Sequence, residues 1–171
     1  MNKNLKLNIG ITLWTLTSKE IRRFMRIWVQ TLVPPAVTMT LYFVIFGSLI
    51  GPRIGEMDGF DYVQFMIPGL IMMSVITGSY ANVVSSFYSV KFQKSIEELL
   101  ISPMPNWVIL LGFILGGVTR GILVGIIVFC VSLFFYPEFQ IVNIGLTITV
   151  LLLTSVLFAL MGFINAVFAD S

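Results

Sequence analysis

The chain has 171 residues, of which 57% are hydrophobic and 11% charged, with a formal net charge of +2 and a mean hydropathy of +0.99. A soluble domain carries about 25% charged residues to coat its surface, so composition alone excludes a water-soluble globule and gives an integral membrane protein. Histidine is absent and the single cysteine, Cys130, stands in an apolar run, which leaves no disulfide, no Cys/His metal site and no nucleophile–base pair of the usual kind.

Spans in lipid are expected to be helical, because a helix satisfies its own backbone donors and acceptors. A barrel would need period-2 alternation over strands of about ten residues, and the sequence has none. The expected fold is all-α: a polytopic membrane helix bundle forming one domain over 1–171, with an N-terminal interfacial amphipathic helix and four transmembrane helices. Residues 1–16 read as a short mixed tail carrying Lys3 and Lys6. Thr17-Ser18-Lys19-Glu20 has the form of a capping box, with Thr17 capping and Glu20 reaching back. From there Ile21, Phe24, Met25 and Trp28 share one helix face, and Lys19, Arg22, Arg23 and Arg26 the opposite one. Such a helix over 17–31 suits the headgroup layer, with its four cations at the membrane surface. A cytoplasmic extension of the first span is the plainer alternative.

Pro34-Pro35 removes two backbone donors and is expected to break or restart the helix, which puts the first span at 34–50. Residues 51–61 form a Gly-rich acidic turn, and the second span runs over 62–86. A charged loop fills 87–106. The third span covers 107–135, a tight turn 136–140, and the fourth span 141–168. Eight of the ten Lys and Arg lie in the N-terminal segment and the 87–106 loop, which places both, and the N-terminus, on the cytoplasmic side. The first apolar run starts too late for a cleavable signal peptide.

The 87–106 loop is a charged island between two uncharged runs, 62–90 and 99–119. Within it Phe92, Ile96 and Leu99 recur at i, i+4, i+7, along one face of a short helix. Lys91, Lys94, Glu97 and Glu98 fall on the other faces, and Pro103 and Pro105 stop the helix. An amphipathic helix held between two spans has its apolar face free to dock on a partner.

Groups for chemistry inside the membrane are few. All eight acids lie outside the expected spans, so no buried carboxylate is available as a proton relay. There is no G-x-x-x-x-G-K-[ST] phosphate loop, and the chain does not itself bind ATP in that way. Arg120 is the one ionised group in spanning sequence; at mid-bilayer it would cost about 2.5–3.5 kcal/mol. Two readings fit it: a contact for an anionic substrate or a structural anchor beside a pathway, or a side chain snorkelling to the headgroups. Gly112 and Gly116 make one G-x-x-x-G pair, and Gly117, Gly121 and Gly125 two more on an adjoining face, which suits close helix packing within the chain or between copies. Ser74, Gly78, Asn82 and Ser86 form a polar face in the second span, fit either to line a translocation route or to hold helices together.

Tyr62, Phe65, Pro68 and Gly69 stand at the spacing Y-x-x-F-x-x-P-G, which resembles the start of the second span in type-two ABC exporter permeases. The charged segment 91–105 is similar to that family's cytoplasmic loop after span two, and 19–35 to its interfacial helix and first span. The resemblance covers essentially all of 1–171 and implies a six-span permease in the bacterial inner membrane, working as a homodimer in the lipid bilayer. It implies two copies of a separate ATP-binding-cassette ATPase subunit, with ATP and magnesium on that partner and no cofactor, metal or nucleic acid on this chain. Carried over by position, Lys91, Phe92, Lys94, Ile96, Glu97, Glu98 and Leu99 become the ATPase-coupling contact, with Phe92, Ile96 and Leu99 docking. The sequence departs from the family by ending after the fourth span and so reads as incomplete at its C-terminus. A passive channel or pore subunit and a non-transporting membrane anchor are the other classes its composition admits. No residue selects a substrate.

Overall fold

The computed structural model describes residues 8–57, 59–137 and 143–169. In chain order its elements are α1 (Ile9–Arg26), α2 (Trp28–Tyr42), a π-helical run (Phe43–Ile50), α3 (Gly51–Ile54), the short strands β1 (Glu56–Met57) and β2 (Phe60–Asp61), α4 (Tyr62–Phe92), α5 (Ile96–Ile101), α6 (Asn106–Phe135) and α7 (Ile144–Phe168). Four segments are long and apolar enough to cross a membrane: Trp28–Ile50, Tyr62–Phe92, Asn106–Phe135 and Ile144–Phe168. The fold is a polytopic helical bundle, as the composition requires. Its one sheet among the described residues is an antiparallel hairpin that pairs Glu56 with Asp61 and Met57 with Phe60. Gly59 turns that hairpin at φ 81°, a left-handed conformation open to a residue without Cβ.

Helix α6 lies at the centre, packed against α4, α1, α7 and α2. Its glycines set how near these neighbours come. A Cβ on Gly112 would stand 2.8 Å from Leu16 Cβ, and one on Gly116 would stand 2.6 Å from Glu20 Cβ, both on α1. On the adjoining face, Cβ atoms on Gly117 and Gly121 would each lie 3.0 Å from a carbonyl oxygen of α4, that of Ser79 and that of Val75. A Cβ on Gly78 of α4 would in turn stand 3.3 Å from the Gly121 Cα. Both glycine faces are thus occupied by helices of the same chain, whose backbones meet where no side chain intervenes.

Two apolar clusters fill the remaining space. One joins Val83 and Phe87 of α4, Ile109, Phe113, Ile114 and Val118 of α6, and Ala159 and Ala166 of α7. There Phe87 meets Phe113 edge-on, with ring centroids 5.5 Å apart, a favourable aromatic geometry. The other joins Leu32, Met39 and Phe43 to Ile67, Val124 and Val128 nearer the opposite end. The C-terminal end of α7 is held differently. Lys91 Nζ donates to the Val167 carbonyl at 3.2 Å and also to that of Ala169, so an ammonium caps carbonyls at the negative pole of the helix.

The N-terminal third differs from expectation. Helix α1 starts at Ile9, so 9–16 are not a tail, and Thr17–Glu20 sit within the helix rather than at a cap. The break falls at Ile27 (φ −114°, ψ 37°), and α2 runs on through Pro34-Pro35. Proline's φ fits a helix; what it lacks is the N–H. Pro35 leaves the Thr31 carbonyl without its i+4 donor, and Arg120 Nη2 donates to that oxygen at 3.4 Å. A neighbouring helix thereby supplies the missing donor, which is how prolines are tolerated within lipid. Thr31 Oγ1 donates back across the break to the Phe24 and Ile27 carbonyls, both at 3.2 Å. The first apolar stretch therefore begins at Trp28, and α4 continues past 86 to Phe92. Asn143 caps α7, its Oδ1 accepting from the Leu146 N–H at 3.1 Å. The expected span start at 141, residues 138–140 of the preceding turn, and Lys3 and Lys6 lie outside the described residues.

At Gly69 no atom lies within 4 Å of an added Cβ. Gly69→Ala should leave the melting temperature of the detergent-purified chain unchanged. Gly121→Leu drives a side chain into Ser79 and the Val75 carbonyl, and should cost about 3 kcal/mol, read as loss of the monodisperse peak on size exclusion. Equal behaviour of the two variants would show that the α4–α6 approach is not tight.

Candidate functional site

Two places in the fold concentrate exposed apolar or buried polar groups. The first is the turn between α4 and α6. Helix α4 ends at Phe92, Gln93 leaves helical geometry, and Lys94 takes φ 57°. Ser95 Oγ donates to the Val90 carbonyl at 3.2 Å and fastens the turn, after which α5 runs for six residues before Pro103 and Pro105 lead into α6. The expected continuous helix through 92, 96 and 99 is thus interrupted, and its face divides. Ile96 and Leu99 pack inward against the cluster that holds Phe87 and Phe113. Phe92 points out at 71% exposure and is joined by Ile101 at 84%. Lys91 is engaged by α7, while Lys94, Glu97 and Glu98 are exposed. Of the seven coupling residues expected, Phe92, Lys94, Glu97 and Glu98 therefore share the outer surface, and Lys91, Ile96 and Leu99 hold the turn to the bundle.

The second place lies where α1 crosses α4 and α6. Leu16, Glu20 and Phe24, spaced by four, are the buried face of α1. Glu20 is buried beside Gly116 and accepts from Ser86 Oγ at 2.5 Å and from Arg23 Nε at 3.2 Å. Arg23 Nη2 donates to both Oδ1 and the carbonyl of Asn82, each at 3.1 Å. This corrects two expectations: a buried carboxylate does exist, and Arg23 is turned onto α4 rather than to the membrane surface. Lys19, Arg22 and Arg26 keep their exposed positions, as do Met25 and Trp28, while Phe24 is in the core. Thr17 Oγ1, Ser79 Oγ, Asn82 Nδ2 and Arg120 Nε are buried here without a hydrogen bond.

The polar face of α4 belongs to the same contact. Ser74, Gly78, Asn82 and Ser86 are all buried between helices; Ser74 bonds its own helix at the Leu70 carbonyl, and Asn82 and Ser86 bond α1. This face is taken up by contacts of α4 with α1 and α6. A sequence signal for the pairing existed: Glu20 is the one acid in the first fifty residues, and Asn82 and Ser86 repeat its four-residue period. Ile101 carried no signal, because it lies beyond the i, i+4, i+7 pattern.

Residues 12–171 match the profile of the ABC-2 type transporter family. The chain is similar to proteins named inner membrane transport permease YadH from Escherichia coli (strain K12), Escherichia coli O157:H7 and Shigella flexneri. Each is 60% identical over 161 residues, covering 94% of this chain and 62% of the relative. The chain thus spans 62% of the length of these relatives. No solved structure matches it significantly.

Removing Ser86 Oγ by Ser86→Ala should lower stability by about 1–2 kcal/mol, because Glu20 keeps only its arginine. Glu20→Ala should cost more, since it leaves Arg23, 31% exposed, without its counter-charge. In a double-mutant cycle of melting curves the two losses should overlap, with a coupling of at least about 0.5 kcal/mol. Strict additivity would mean that the hydroxyl and the carboxylate act independently.

Proposed function

Because the chain belongs to the ABC-2 type transporter family, we propose that it is a permease subunit of an ATP-driven exporter in the bacterial inner membrane, with its N-terminus cytoplasmic. A separate ATP-binding-cassette subunit binds ATP and magnesium and grips the α4–α5 turn, and two copies of the permease share one assembly. The observation that carries this reading is the pair Phe92 and Ile101, 71% and 84% exposed on a turn otherwise ringed by Lys94, Glu97 and Glu98. Large apolar side chains on a charged turn beyond the ends of two spans are what a soluble partner can bury, and such anchors dominate interfaces. The name of the relatives, inner membrane transport permease, supports the membrane assignment. The absence of a phosphate loop supports an energy source on another chain.

In this reading, nucleotide drives the partner between two states, and only its differential affinity for them does work. A displacement of Phe92 acts at once on the end of α4, and through Lys91 on the last carbonyls of α7. The distribution of Lys and Arg supports a cytoplasmic turn.

Phe92→Asp combined with Ile101→Asp should abolish copurification with the ATPase subunit while leaving membrane insertion and melting unchanged. Ile96→Asp should instead lower the melting temperature, because it places a charge against the Phe87–Phe113 cluster. Wild-type recovery of the ATPase with the double variant would remove the docking assignment. In a Cys130→Ser background, a cysteine at position 97 should react with an impermeant maleimide only from the cytoplasmic face, and one at position 53 only from the other. Labelling of position 97 from outside the cell would put the turn beyond reach of any cytosolic ATPase.

A further inference from the structure

We propose that Arg120 and Arg23 form a binding site for the phosphate of an anionic lipid headgroup, at the junction where α1 ends, α2 begins and α6 passes. Arg120 is half-buried, and its one hydrogen bond among those resolved is the long one from Nη2 to the Thr31 carbonyl, at 3.4 Å. Its Nε is buried with no partner. Arg120 stands one turn along α6 from Gly116, where an added Cβ would lie 2.6 Å from Glu20 Cβ and 3.7 Å from Asn82 Nδ2, the two residues that hold Arg23. The acid beside them, Glu20, is engaged by Arg23 and Ser86, and Arg23–Glu20 is the one ion pair among the described residues. One carboxylate against two guanidiniums leaves a positive charge uncompensated.

The position selects the anion. Lys19, Arg22 and Arg26 are exposed along α1 up to the break at Ile27, and the uncharged stretch begins with Trp28, 53% exposed. Those residues mark the level of the headgroups, and Thr31, which Arg120 reaches, lies less than one turn further along. Lipid tails offer a guanidinium nothing, whereas a phosphate accepts its forked donors in pairs. Basic pockets between spans at this depth suit anionic headgroups. The site does not rest on ATPase docking and is tested on the permease alone.

The full chain is extracted from vesicles of equal phosphatidylglycerol and phosphatidylcholine into neutral detergent, and retained lipid is counted by native mass spectrometry. Phosphatidylglycerol should be enriched on the wild-type chain. Arg120→Gln should reduce that enrichment about fivefold, and Arg26→Gln, on the exposed face, should leave it. Pro35→Ala separates this role from the structural one, because it returns an N–H to the Thr31 carbonyl and frees the guanidinium. Pro35→Ala should keep the enrichment, and Pro35→Ala with Arg120→Gln should lose it in a chain whose fold no longer needs the arginine. Unchanged enrichment in both Arg120→Gln backgrounds, or equal loss in Arg26→Gln, would overturn the site. Complete displacement of the lipid by inorganic phosphate at matched ionic strength would overturn the lipid assignment in favour of a soluble phosphate.

Discussion

The close approach of α1 and α4 to α6 is the constraint from which the other contacts follow. Between apolar helices in lipid there is little hydrophobic force, since the surroundings are as apolar as the side chains. Association then depends on dispersion at short range and on polar groups that find each other. The glycines on two faces of α6 provide the short range. Only because Leu16 and Glu20 lie against Gly112 and Gly116 can the carboxylate reach Ser86 on a third helix, and Arg23 reach Asn82. Packing and polar contact are one arrangement here, with the small residues deciding where the charged ones meet.

The same arrangement accounts for the second of the two prolines, Pro35. In water a carbonyl freed by proline is solvated; in a span it must be served by protein. Arg120 does so from a neighbouring helix, and the Thr31 hydroxyl ties α2 back to α1 across the break at Ile27. A charge that composition marks as costly in lipid thus stands beside the backbone group that most needs a donor.

The parts legible in the sequence were those governed by local pattern. Four apolar stretches became four helices, and the boundaries at Asn106, Phe135 and Phe168 fell within a residue or so of the hydropathy limits. The glycine spacing announced close packing, though not its partners. What local pattern misjudged was decided by distant contacts. Thr17 and Glu20 have the form of a cap, yet Glu20 is drawn to Ser86, sixty-six positions away. Pro34-Pro35 has the form of a stop, yet a donor from α6 carries the helix through. Phe92, Ile96 and Leu99 have the spacing of one face, but Lys94 enters the left-handed region and turns Phe92 away from the other two.

Lys91 adds a mechanical property to the turn that follows it. Its ammonium spans from the end of α4 to the end of α7, so the two helices share a tether one residue from the most exposed aromatic side chain of the turn. Pulling on that turn cannot move α4 alone. Either α7 travels with it, or the tether parts and the terminal carbonyls of α7 are left to fray.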